Sequence, residues 1–252
     1  MLSLHDSMVI FTSLDLAEKI RKQRSFATDR THIITMDLER LPVAIKFSES
    51  LWAKMLDKDY EKDIHHTYKL FWIWLSKPWF VLRSIHINPF SSENFIWVDI
   101  GSFRDSTYNN QTLVCHPEII PPHSILVQTW QSPNFLGDPL IIKNQRTIND
   151  KSFFVAGALM AGKLKTWIRF NKAYDSTVQK YFNDDIFVGE DQAVIQSTCY
   201  RFVKICAFVA HDQTVQNIWF SLQYILHTKG NSTKILSYNT SKTLESSSND
   251  SL

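Results

Sequence analysis

Asp99 closes the run Phe95-Ile96-Trp97-Val98-Asp99-Ile100, and a carboxylate in so apolar a setting is costly to bury unless something pairs with it. Strand ends in open α/β sheets are also where ligands bind. Gly101 lets a ligand approach the backbone, and Arg104 offers a planar fork suited to phosphate oxygens. The alternative is an aspartate that caps the next turn or pairs with Arg104. A second group is Gly189-Glu190-Asp191-Gln192, with two adjacent carboxylates ahead of Val194 and Ile195. Such a carboxylate can accept a hydroxyl proton, yet acids are favoured in a first helical turn whether or not they do chemistry. The third is the small-residue run Ala156-Gly157-Ala158-Leu159-Met160-Ala161-Gly162-Lys163. It admits a sugar or phosphate to the main chain, or else serves tight strand-to-helix packing. His65 and His66 make a poor metal motif, because neighbours on a helix diverge by about 100°. One reads as surface and one as packing. Most of the 8 tryptophans should be core.

The elements that must hold these residues alternate. Met8 to Thr12 reads as a strand, with Ser13 placed to cap the helix marked by Leu14, Ala17 and Ile20. Thr31 to Met36 repeats the strand pattern. Tyr68, Phe71, Trp72 and Leu75 form one apolar stripe, which Pro78 ends while opening the next helix. Asn88-Pro89-Phe90-Ser91-Ser92 is a turn, and Phe95 to Ile100 reads as a central strand covered on both faces. Ser124 to Trp130, Phe153 to Val155 and Phe202 to Val209 are further strand candidates. Leu164 to Tyr181 and Val215 to Ile225 keep helical spacing. The order is that of an α/β domain, expected over residues 1–228.

Composition narrows the function. With 27 Lys and Arg against 25 Asp and Glu, the net charge of +2 creates no strong field for a polyanion, so nucleic acid is not the expected partner. The 3 cysteines, Cys115, Cys199 and Cys206, form no C-x-x-C pair and read as buried thiols. Only 6 glycines are present, and the dinucleotide, P-loop, hydrolase-elbow and H-E-x-x-H motifs are absent. No run approaches the roughly 20 apolar residues of a membrane span. His5 and Asp6 interrupt the opening stretch, which therefore does not read as a signal peptide. After His227, Ser, Thr and Asn make up more than half of the residues, so 229–252 is expected to be a disordered tail, with sequon matches at Asn231, Asn239 and Asn249.

Taken together, several of these words resemble the HtrL/YibB family: Ile64-His65, Leu70 through Trp74, Lys77, Asn88-Pro89-Phe90-x-Ser92, Phe95-x-Trp97-x-Asp99-x-Gly101, Arg104, Ala156-Gly157, Gly162 and Gly189-x-Asp191-Gln192. The likeness runs from about Met8 to about Leu226, most specifically between Lys77 and Arg104. It implies a Rossmann-like mixed sheet of GT-A glycosyltransferase type. The implied activity moves a sugar from a nucleotide-sugar donor to a hydroxyl acceptor. In that type a D-x-D motif holds a divalent cation, Mn or Mg, against the donor diphosphate. Asp99 matches its first position, but Gly101 replaces the second aspartate, which weakens or removes the metal site. The resemblance further implies donor contacts from Lys77, Arg104, Gly157, Gly162 and Gln192, and a catalytic role for Asp191 with Glu190. Family members usually begin with one more strand, so the chain reads as N-terminally truncated. A full-length form is expected to suit the secretory pathway, in the Golgi or ER lumen. A rival reading is an inactive relative that binds a glycan or a protein. A phosphoryl-transfer enzyme with Asp99 as nucleophile is a third, and Gly101 counts against it, since that chemistry wants a second aspartate.

Overall fold

The computed structural model describes residues 1–59, 61–64, 66–103, 108–129, 155–202, 204–209, 221–229 and 235–237. Strand β1 (Met8–Thr12) pairs in parallel with β2 (Thr31–Thr35), and the link between them contains α1 (Leu14–Gln23). Ser13 stands at the N-cap of α1 with extended backbone but makes no side-chain cap bond; Asp15 in the first turn and Arg21 and Lys22 in the last complement the helix dipole instead. Arg24 is fully buried and donates to the carbonyls of Leu2, Leu4 and Asp6 and to Thr31 Oγ1, which ties the first residues to this unit.

Two short helices, α2 (Pro42–Lys46) and α3 (Glu49–Lys58), lead to α4 (Tyr68–Leu75) and α5 (Lys77–Ile87). Pro78 falls in the first turn of α5, where its missing N–H costs nothing, and Ser76 is shared between the two helices as cap. Asn88 ends α5 in the left-handed region at φ 36°. Its side chain clamps the turn, donating to Ser92 O and accepting from Ser92 N.

The second sheet comprises β3 (Asn94–Val98), β4 (Ile125–Thr129), β5 (Val155–Lys163), β6 (Cys206–Val209) and β7 (Ile235–Ser237), in the order β3-β5-β4-β6-β7. β5 is antiparallel to both neighbours and β4 is parallel to β6, so β3, β4 and β6 run the same way. Helices α6 (Leu164–Asn183) and α7 (Asp191–Arg201) pack with α4 and α5 on one face, and α8 (Ser221–Thr228) covers the other. Side chains alternate accordingly: Ile125, Val127, Cys206 and Phe208 enter the larger core, while Leu126, Ala207 and Val209 enter the smaller one. This is an α/β architecture with a mixed sheet.

Four expectations are corrected. Phe95–Val98 is covered on both faces, with Phe95 and Trp97 against one core and Ile96 and Val98 against the other, but among the described residues β3 lies at the edge of the sheet rather than in its centre. Apolar residues on both faces report what lies above and below a strand, not what lies beside it. The strand candidate that ends at Val155 in the sequence instead continues through the small-residue run as β5, Val155–Lys163. Within the tail expected to be disordered, Ile235–Ser237 pairs antiparallel with Ala207–Val209. Cys199 and Cys206 form a disulfide between the last helix turn of α7 and the start of β6, leaving Cys115 as the exposed free thiol among the described cysteines.

Neither β1, on the side away from β2, nor β3, on the side away from β5, has a strand partner among the described residues. Both strands are half-buried along their whole length. Phe80 of α5 touches both, with ring centroids 4.8 Å from Phe11 and 5.6 Å from Trp97. No helix among the described residues is long and apolar enough to cross a membrane.

Candidate functional site

Lys77 is the only charge in the apolar stretch from Leu70 to Leu82, and the fold buries it to 2% exposure at the start of α5. A cation there opposes the helix dipole and loses its water, so it needs partners. It has three: Nζ donates to Asp99 Oδ2 at 2.8 Å and to Gly157 O at 3.0 Å, and lies 2.5 Å from Asp191 Oδ2. The Asp191 contact is an ion pair whose angle falls outside hydrogen-bond geometry, so Oδ2 gains the charge without an aligned proton.

Each partner arrives on a different element. Asp99 follows the carboxyl end of β3, and its N–H donates to Ala158 O of β5. A 3₁₀ turn, Ile100–Ser102, then carries the chain away, with Ser102 N donating to Asp99 O. Trp97, two residues back on the same face of the strand, donates from Nε1 to Asp99 Oδ1 at 2.7 Å. Both carboxylate oxygens of Asp99 are therefore anchored, while the side chain stays 32% exposed. Asp191 opens α7, where a carboxylate suits the dipole, and its side chain is 10% exposed. Gly157 has no Cβ, and one added there would overlap the Asp191 carboxylate. Here the absence of a side chain is required by a close approach.

One ammonium thus serves two carboxylates. Burial alone would lower the Lys77 pKa, but the Asp191 and Asp99 charges outweigh it and hold the ammonium above its ordinary value. Asp99 moves upward because burial penalises its charge; Lys77 offsets this only in part, and Asp191 adds repulsion. Tyr174, a buried phenol on α6 whose hydroxyl has no hydrogen-bond partner, is raised well above the usual tyrosine value by burial first and by the Asp191 charge second.

Of the residues singled out in the sequence, Lys77, Asp99, Gly157 and Asp191 meet at one point. Glu190 is the buried N-cap of α7 and Gln192 lies half-buried in its first turn, both beside Asp191 in the chain. Gly101 is exposed in the turn after Asp99. Gly162 does not join them: it pairs with Phe95 at the other end of β5, and a Cβ there would strike Ile125 and the Trp167 ring, so packing explains it. Arg104 and His65 lie outside the described residues. His66 bonds Asp59 Oδ2 through Nδ1 at 2.7 Å and packs edge-on against Trp74, so it is a packing member of the pair. Trp97 and Tyr174 went unread as site residues. An indole two positions from a carboxylate on one strand face is a signal that could have found the first.

The fold and this cluster define an α/β protein whose candidate site is a carboxylate–ammonium–carboxylate centre at the carboxyl end of an edge strand. No family model, no curated protein and no solved structure matches the chain.

Proposed function

We propose that the chain is a glycosyltransferase-type domain, related to the HtrL/YibB family and of GT-A type. On this reading it binds a nucleotide sugar beside Asp99 and passes the sugar to a hydroxyl acceptor. The observation that carries it is the convergence of Asp99 and Asp191 on Lys77 where β3 ends, the edge of an α/β sheet at which ligands are bound. An aspartate that merely closed a turn would need neither a buried lysine nor an indole to hold it. With Oδ1 fixed by Trp97 and Oδ2 by Lys77, the partly exposed carboxylate keeps free lone pairs in a set direction and is suited to accept hydrogen bonds from sugar hydroxyls.

The local charge refines the assignment. One positive group against two carboxylates favours hydroxyl donors over phosphate oxygens at Asp99 itself. The diphosphate is then left to a cation outside this cluster, the part for which the resemblance offers Arg104. Proton acceptance from the acceptor hydroxyl falls to the Glu190–Asp191 pair. The Cys199–Cys206 disulfide supports an oxidising compartment such as the secretory lumen.

The test is calorimetric titration with a panel of nucleotide sugars, paired with a donor-hydrolysis assay. Wild type should bind at least one donor, and Asp99→Asn should lose it while keeping its unfolding free energy within about 1 kcal/mol of wild type. Binding by neither protein, or equal binding by both, defeats the reading. A second reading has one observation in its favour: Lys77 is already engaged by two hydrogen-bond acceptors and an ion-pair partner, which suits a domain that holds a glycan without turning over a donor. Glycan binding that survives with no donor hydrolysis would select it.

A further inference from the structure

We infer that the Lys77 ammonium is the resident cation of this site: it fills the place between Asp99 and Asp191 that a divalent metal would take, and the carboxylate pair works without one. The inference builds on the sugar-transfer reading for the use of the site, but the claim about the cation rests on geometry alone.

A hard divalent ion needs about six oxygens at short range, of which carboxylates must supply the charge. The two carboxylates here direct oxygens to a single point, joined by the Gly157 carbonyl, and Nζ already stands there at 2.5, 2.8 and 3.0 Å from the three. An ammonium has three N–H groups, and three oxygens surround it. The lysine is not free to swing aside. It begins α5, is 2% exposed, precedes Pro78, and has the Trp97 ring 5.9 Å from Nζ. Among the described residues no group of three or more His, Cys, Asp or Glu could hold a metal elsewhere. Among the described residues, an ion approaching from the open side would meet the Asp99 carboxylate, already shared between Lys77 and Trp97, and would be repelled by the ammonium behind it. The residues present therefore do not fit the divalent ion that the D-x-D comparison implies, and the reason is an internal positive charge as much as the glycine at 101.

The geometry also says what lies beneath the lysine. Shortening it should expose a pair of carboxylates and a carbonyl, a rudimentary oxygen site for Mn²⁺. The experiment is Mn²⁺ titration followed by electron paramagnetic resonance, on wild type, Asp99→Asn, Lys77→Ser and Lys77→Ser/Asp191→Asn. Wild type and Asp99→Asn should show the same weak, non-saturating uptake. Lys77→Ser should gain a saturable site at least about tenfold tighter than anything in wild type, and the double variant should lose it. Saturable Mn²⁺ binding by wild type that disappears in Asp99→Asn overturns the inference, as does a folded Lys77→Ser with no new site. Should Lys77→Ser fail to fold, the comparison of wild type with Asp99→Asn decides by itself. Neither readout involves a nucleotide sugar, so failure here is separable from failure of the proposed function.

Discussion

Gly157 and Asp191 are in contact closely enough that the Asp191 carboxylate occupies the space a side chain at 157 would need. Gly157→Ala should therefore push Asp191 off Lys77 and cost about 2–4 kcal/mol, combining overpacking with a weakened buried ion pair. Urea unfolding measures this. A change under about 0.5 kcal/mol would show that Asp191 can move aside freely.

Lys77→Met keeps the bulk of the side chain but strands two carboxylates in a mostly buried site. Removal of one partner from a buried charge cluster costs about 3–5 kcal/mol, and that loss is expected at neutral pH. Acidification should narrow the gap between the variant and wild type, because protonated carboxyls no longer need the ammonium.

The pH dependence of wild type follows from two upward shifts. Asp99 binds its proton more tightly in the native state than an ordinary aspartate at 3.8, so its stabilising contribution is full below that value and is lost as pH rises through the native one. Lys77 is also shifted upward, so its contribution is full below the ordinary lysine value of 10.5 and is lost only as pH rises beyond it. As pH rises above the ordinary aspartate value, Asp99→Asn should thus gain stability relative to wild type, read from urea unfolding over a pH series. A difference that is flat with pH, or runs the other way, contradicts the shift.

Trp97→Phe retains a ring to stack on Phe80 but deletes the indole donor to Asp99. A hydrogen bond to a charged group contributes about 1.5–3 kcal/mol, so stability should fall by up to that much and donor affinity by about tenfold. Unchanged affinity would mean that the indole does not orient the carboxylate toward ligand.

Thiol counting checks the cysteines. Native protein should label at Cys115 alone with a maleimide, and at all 3 cysteines after unfolding and reduction. Reduction of the bond between Cys199 and Cys206 should lower stability by about 2 kcal/mol in the chain-entropy account of so short a loop. Labelling of all 3 without reductant would refute the pairing.

Local signals carried much of the fold. Met8–Thr12 pairs over the span its β-branched residues mark, and Pro78 separates two helices as its missing N–H demands. Lateral relations were invisible: nothing in Phe95-Ile96-Trp97-Val98 distinguishes an edge from a centre, and a strand rich in Ala and Gly, as β5 is, has only Val155 as a β-branched residue to announce it. At the site, Asp99 stood out because charge interrupts an apolar run. Lys77 interrupts one just as sharply, between Trp74 and Val81, yet only the family resemblance marked it. Its meeting with Asp191 joins two helices that lie far apart in the chain, and no spacing rule reaches that far. The disulfide was hidden by parity, because an odd cysteine count suggests no pairing until packing brings Cys199 beside Cys206.

Among the described residues no strand pairs with the outer side of Met8–Thr12 or of Asn94–Val98, and this has a consequence for the molecule in solution. Neither carries a lysine, a proline or a bulge, the devices that discourage foreign chains from zipping onto exposed backbone. Crowded preparations should clump through these greasy rims first, and added charge along them, away from Asp99, is the route to a well-behaved sample.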